Sequence, residues 1–186
     1  MSFRQVISIL SLGMFLALLG CSGKSEKIAD KPETAIAVMQ PTTGNEASGT
    51  VTFTKVADGI QVVAHFEGVP EGEHGFHIHA VGDCSSGDGK SAGGHFNPEG
   101  YDHAGPDAAM RHVGDLGNIT ADTNGVAHAE FTDSHLTFEG DKSILGKGVI
   151  LHADRDDLTS QPTGAAGARI SCGVIEKQEE TKVTEK

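Results

Sequence analysis

Residues 50–67 read TVTFTKVADGIQVVAHFE. Ile60, Val62, Ala64 and Phe66 recur at every second position, so in an extended chain they share one face while His65 lies on the other. The run before it, 50–56, alternates as well. Between the two stands Asp58-Gly59, a strong hairpin signal because glycine reaches the positive φ that tight turns demand. The stretch therefore reads as a β-hairpin with one face to bury. Working outward, short runs of the same kind recur at 34–39, 72–79, 119–121, 126–131, 148–152 and 170–175, and Asn124-Gly125 marks a second such turn. Helical periodicity is nearly absent from these segments and no internal repeat is evident. The expected architecture is an antiparallel β-sandwich or barrel.

The chemistry of the chain is carried by histidine. Six histidines and one aspartate form the pattern His77-x-His79, His95, His103, His112-x-x-Asp115 and His152. On a strand, His77 and His79 point to the same side and can grip one ion. His95, His103, His112 and Asp115 fall in a Gly-rich, largely polar segment with little core of its own, which a metal could order. His152 ends the apolar run 148–151. Neutral imidazole suits copper and zinc, and one carboxylate among histidines suits tetrahedral zinc. Seven side chains are one short of two four-ligand sets, so one residue serves both. An imidazole stripped of both ring protons can do so, and His95 lies between the two groups in sequence. Copper is then expected on His77, His79, His95 and His152, and zinc on His95, His103, His112 and Asp115. The remaining histidines are read as structural or solvated: His65 on the polar face of its strand, and His128 and His135 as solvated strand or turn residues.

The segments GEHGFHIHAVGDC, AGGHFNP, RHVGDLGNITAD, GVILHADRDDL and GAAGARISCGVI together resemble copper/zinc superoxide dismutase, in the order that family shows them. The resemblance runs from about residue 35 to residue 175. It implies an eight-stranded antiparallel Greek-key β-barrel (an immunoglobulin-like sandwich) with two long loops over the metals. It also implies the same ligand sets, with His95 as the bridge. By the same likeness, His74 is structural beneath the copper site, Asp156 joins His77 to His103, and Arg169 stands beside the copper and docks superoxide. Cys84 and Cys172, left once Cys21 is set aside, form the disulfide the resemblance supports. Cys84 follows His79 by five residues, closer than in animal relatives and as in the bacterial branch. The interval from His152 to Arg169 is shorter than in animal relatives, and the steering residues of that loop have no clear counterparts; Lys90 is a candidate for part of that role.

The implied activity is dismutation of superoxide to dioxygen and hydrogen peroxide, with copper and zinc as cofactors. A copper/zinc-binding envelope protein without catalysis would carry the same ligands, but a metal store has no need of Arg169. A zinc hydrolase needs an open zinc position, whereas the zinc set here is complete.

Both ends of the chain read as lying outside the fold. Residues 1–20 resemble a signal peptide, with an apolar stretch at 6–19 too short to span a bilayer comfortably. Leu18-Leu19-Gly20-Cys21 resembles a bacterial lipoprotein processing site, making Cys21 the expected lipidated terminus. Residues 21–33 are then a linker, 34–175 the domain, and 176–186 a charged, disordered tail. The expected location is the bacterial cell envelope, anchored in the membrane by lipid and facing the periplasm or exterior. The formal net charge of −12 argues against nucleic acid as a partner. Bacterial relatives include both monomers and dimers, so a homodimer stays open.

Overall fold

The computed structural model describes residues 33–179. The expected leader, Cys21, most of the linker and the end of the charged tail lie outside the described residues. Eight strands form a closed antiparallel barrel: β1 (Thr34–Pro41), β2 (Ser48–Val56), β3 (Gly59–Glu67), β4 (Gly72–His79), β5 (Asp115–Ala121), β6 (Ala127–Asp133), β7 (Gly148–His152) and β8 (Arg169–Lys177). Their order around the barrel is β1-β2-β3-β6-β5-β4-β7-β8. β4, β5 and β6 lie side by side between β7 and β3. A short turn joins β5 to β6, whereas residues 80–114 join β4 to β5, and the crossings from β3 to β4 and from β6 to β7 give the Greek-key connections. No helix of the described residues is long and apolar enough to cross a membrane.

The period-two pattern fixes which side chains fill the interior. Val51 and Phe53 of β2 and Ile60, Val62, Ala64 and Phe66 of β3 are buried, as are Ala35, Ala37 and Met39 of β1. Phe66 meets Phe76 of β4 edge to face, with ring centroids 5.9 Å apart. At the 124–125 turn the Asp122 carboxylate accepts from the backbone N–H groups of Asn124 and Val126, and Gly125 supplies the required φ of 78°.

On one side of the barrel the alternation stops. Every residue of β4 from His74 to His79, and all of β7, is buried. Here one strand face packs on the core and the other is roofed by residues 80–114 and 153–168, the two long loops. The Cys84–Cys172 disulfide, with Cα atoms 5.8 Å apart, ties the first loop to β8.

Three boundaries differ from expectation. β8 continues through Glu176 and Lys177, which pair with Ile36 and Ala35 of β1, two residues past the expected domain end. β1 likewise runs to Pro41. Asp115 is not in the loop but opens β5, opposite His77. Gly114 and Gly117 hid that strand start by interrupting its alternation. A Cβ at Gly114 would collide with the Ile78 carbonyl, so the backbones approach there as only glycine allows.

Candidate metal centre

The strand register assembles the site. His77 and His79 project from the loop-covered face of β4. β7 pairs with β4 (His77 opposite Ile150) and delivers His152 at its end. His79 also makes an isolated bridge with His95, which draws the first long loop over the sheet. Ligand atoms of His77, His79, His95 and His152 lie within 4.8 Å of one another, and so do those of His95, His103, His112 and Asp115. All seven side chains are buried, and His95 belongs to both groups.

Outer contacts decide which nitrogen of each ring is free. His77 Nε2 faces Asp156 Oδ2 at 2.7 Å, and His79 Nδ1 donates to the Gly93 carbonyl at 2.9 Å. His152 Nδ1 lies 3.4 Å from the Gly167 carbonyl. These contacts hold the proton on the outer nitrogen and leave His77 Nδ1, His79 Nε2 and His152 Nε2 as bare lone pairs turned inward. The two Nε2 atoms of His79 and His152 stand 3.3 Å apart. Two lone pairs at that spacing repel unless a cation or proton lies between them. On the other side, Asp115 Oδ1 receives His95 Nδ1 at 2.7 Å and His103 Nδ1 at 2.9 Å, with His112 Nδ1 at 3.2 Å. Asp115 Oδ2 accepts from the backbone N–H groups of Ala104 and His112, which fixes the carboxylate with Oδ1 inward.

Among the described residues, the buried side-chain polar atoms without a hydrogen-bond partner are His77 Nδ1, His95 Nε2, His112 Nδ1 and His135 Nδ1. Three of the four aim into this centre. A buried donor or acceptor left unmatched costs about 1–3 kcal/mol, so the arrangement is one that metal ions complete. An all-nitrogen set and a three-nitrogen, one-carboxylate set fit copper and zinc respectively.

Electrostatics agree. Burial pushes His95 down to about 4 and His152 down to about 3, and lowers His77 and His79 as well. These rings are neutral ligands at neutral pH. His103 is the exception: burial lowers it, but the Asp115 and Asp156 carboxylates outweigh that and raise it to about 9. Both aspartates sit well below the usual carboxylate range, because contacts with His103 and its neighbours outweigh the opposing effect of burial.

Asp156 spans the two groups, with Oδ2 on His77 and Oδ1 3.0 Å from His103 Nε2. Arg169, opposite His152 across β7–β8, donates 2.6 Å hydrogen bonds to the carbonyls of Gly89 and Gly93. The Gly93 carbonyl thus accepts from both Arg169 and His79. Lys90 is exposed and bound to Asp88 at 2.8 Å, so its charge is largely matched locally. His74 is buried beneath the centre, its Nδ1 donating to the His152 carbonyl at 2.9 Å. His65 and His128 are exposed on their strands, whereas His135 is half-buried rather than solvated.

Supporting residues outside the motif reading also emerge. Asn118 clamps the Asp156 backbone through both its amide groups, at 2.9 and 2.8 Å. Gln161 clamps the His103 backbone in the same way, both bonds 2.8 Å. Arg111 is fully buried and paired with Asp133 at 2.6 Å, and it donates to the His112 carbonyl. None of the three carried a periodic signal: Asn118 stands next to Gly117, outside the run expected at 119–121, and Gln161 and Arg111 lie in the loops.

Comparison with known proteins agrees with this geometry. A model of the family described as copper/zinc superoxide dismutase (SODC) matches residues 47–175. The chain is 45% identical over 138 residues to an extracellular superoxide dismutase [Cu-Zn] of Drosophila melanogaster, covering 70% of this chain and 76% of the relative. It is 42% identical over 154 residues to one of Brugia pahangi, covering 78% and 76%. Among solved structures, that of the clock protein EA4 superposes with a TM-score of 0.72 at 42% identity, covering 79% of this chain and 96% of the other. With its closed barrel and paired histidine sets, the chain belongs to the copper/zinc superoxide dismutase family.

Proposed function

We propose that the chain dismutes superoxide at a copper held by His77, His79, His95 and His152, beside a zinc held by His95, His103, His112 and Asp115. The observation that carries this reading is the membership of His95 in both ligand groups. Bound copper supplies the one-electron exchange by which two superoxide anions and two protons become dioxygen and hydrogen peroxide. The chain's own residues do the rest. Arg169 presents a cation to the anion; its guanidinium is held in place by the Gly89 and Gly93 carbonyls. His95 turns Nδ1 to the zinc side and Nε2 to the copper side, so Nε2 is the atom at which a proton is taken up and passed to the reduced product. Asp156 fixes the rings of His77 and His103 and so couples the two halves. A zinc held by His95, His103, His112 and Asp115 would supply no redox chemistry; it would fix the orientation of the His95 ring and adjust its basicity.

A metal store without catalysis has no use for a guanidinium fixed beside the copper ligands. The direct test is superoxide consumption by copper- and zinc-loaded protein, with and without cyanide. His95→Ala should abolish nearly all activity while His65→Gln, remote from the centre, leaves it intact. Full activity of His95→Ala at neutral pH overturns the bridge.

Placement in a bacterial envelope, tethered through Cys21, is supported by the apolar leader ending at Gly20-Cys21 and by the disulfide, which suits an oxidising compartment. Mass spectrometry of the membrane fraction tests it: an acylated Cys21 is expected, and an unmodified one removes the anchor.

A further inference from the structure

All ten histidines of the chain fall within the described residues, and eight have a place already. Six are ligands of the buried centre, His74 is bound between two backbone carbonyls, and His135 is half-buried in its loop. The two that remain, His65 on β3 and His128 on β6, are not scattered. The β3–β6 register sets them directly opposite one another. Both are exposed, and their inward-facing neighbours Ala64, Phe66 and Ala127 are fully buried, so both rings stand on the outer face of the barrel.

We propose that His65 and His128, with the carboxylate of Glu67, form a third, exchangeable site for a divalent transition metal, copper(II) by preference. This does not depend on the dismutase reading. Directly opposed residues on antiparallel strands have Cβ atoms about 4.5–5.5 Å apart. Two imidazoles so placed can turn about their exposed χ angles to reach one ion at about 2.0–2.1 Å from each nitrogen. Glu67 adds an anionic oxygen: its carboxylate already lies 3.7 Å from His65 Nε2. The platform is rigid, since β3 pairs along its length with both β2 and β6. In the ring of strands, β3 and β6 lie away from β4 and β7, which carry His77, His79 and His152, so the site is separate from the buried pair. Two imidazoles, one carboxylate and open positions for water favour copper(II) over nickel and zinc by the usual order of divalent affinities. Exposure makes the ion exchangeable, in contrast to the two enclosed sets.

The test uses the full chain with both buried sites filled, and copper(II) sulfate as the probe. Equilibrium dialysis with metal analysis is run on the wild type, on each single variant and on the double variant His65→Gln/His128→Gln. The wild type should hold one copper more per chain than the double variant, with a copper(II) electron paramagnetic resonance signal showing nitrogen couplings. Each single variant should bind it more weakly, Glu67→Gln should weaken it less, and superoxide consumption should be unchanged throughout. Excess zinc should compete poorly. Equal copper uptake by the wild type and the double variant, or an extra signal without nitrogen coupling, overturns the proposal.

Discussion

The carboxylate of Asp156 meets His77 Nε2 with one oxygen and His103 Nε2 with the other. Its replacement by Asn keeps the shape but removes the charge and one acceptor, so both rings lose their fixed tautomer. Zinc and copper affinity are expected to fall by about 10- to 100-fold, measured by competition with a chelator. At His103 the expectation concerns pH. Its value near 9 in the protein without metal means that zinc displaces a proton at neutral pH. Zinc affinity should therefore rise about tenfold per pH unit up to roughly pH 9 and then level off, checked by zinc titrations at several pH values. The same raised value means that protonated His103 stabilises the metal-free fold fully below its unfolded value of about 6.5. That contribution is lost as pH rises through about 9. A flat zinc affinity across this range would show that His103 carries no such proton. Arg169→Ala should leave both metals bound yet lower kcat/KM for superoxide by about ten- to a hundredfold, which stopped-flow at low salt would read.

At the scale of elements, the second long loop depends on backbone that accepts no side chain. Gly164 has φ +69°, and a Cβ there would overlap the Asp156 carboxylate. The first loop depends on the Cys84–Cys172 bond. Opening that 88-residue loop by replacing both cysteines with serine should cost about 4 kcal/mol of stability, read by chemical denaturation against the oxidised protein. Much of this layer was legible beforehand. Strands and turns with clean alternation, such as 50–67, emerged as read. The ligand spacing also named the residues that now converge. What sequence left obscure has physical reasons. Asp115 opens a strand that its flanking glycines disguise. Gln161 reaches His103 across 58 positions, a contact that no local pattern encodes. His74, Asp156 and Arg169 were reached only through family resemblance, because a single histidine, aspartate or arginine in a loop has no period of its own.

Across the whole molecule, stability is unevenly distributed. β1, β2, β3 and β6 bury a continuous apolar face, whereas residues 80–114 contribute few core side chains and are held mainly by the disulfide, the ligands and Arg111. Removing both metals is expected to lower the melting temperature by about 10 °C, corresponding to several kcal/mol of linked binding energy. Hydrogen exchange should then rise in residues 80–114 and 153–168 while β2 and β3 keep their protection; uniform loosening would contradict this division. His95 belongs to both ligand groups, and the proposal that its ring joins two ions can be tested directly. A crystal of the metal-loaded protein, with anomalous data collected at the copper and zinc edges, should show a copper peak beside His95 Nε2 and a zinc peak beside Nδ1 of the same ring. Two ions with no imidazole between them, or a single ion on one nitrogen of His95, would contradict the account.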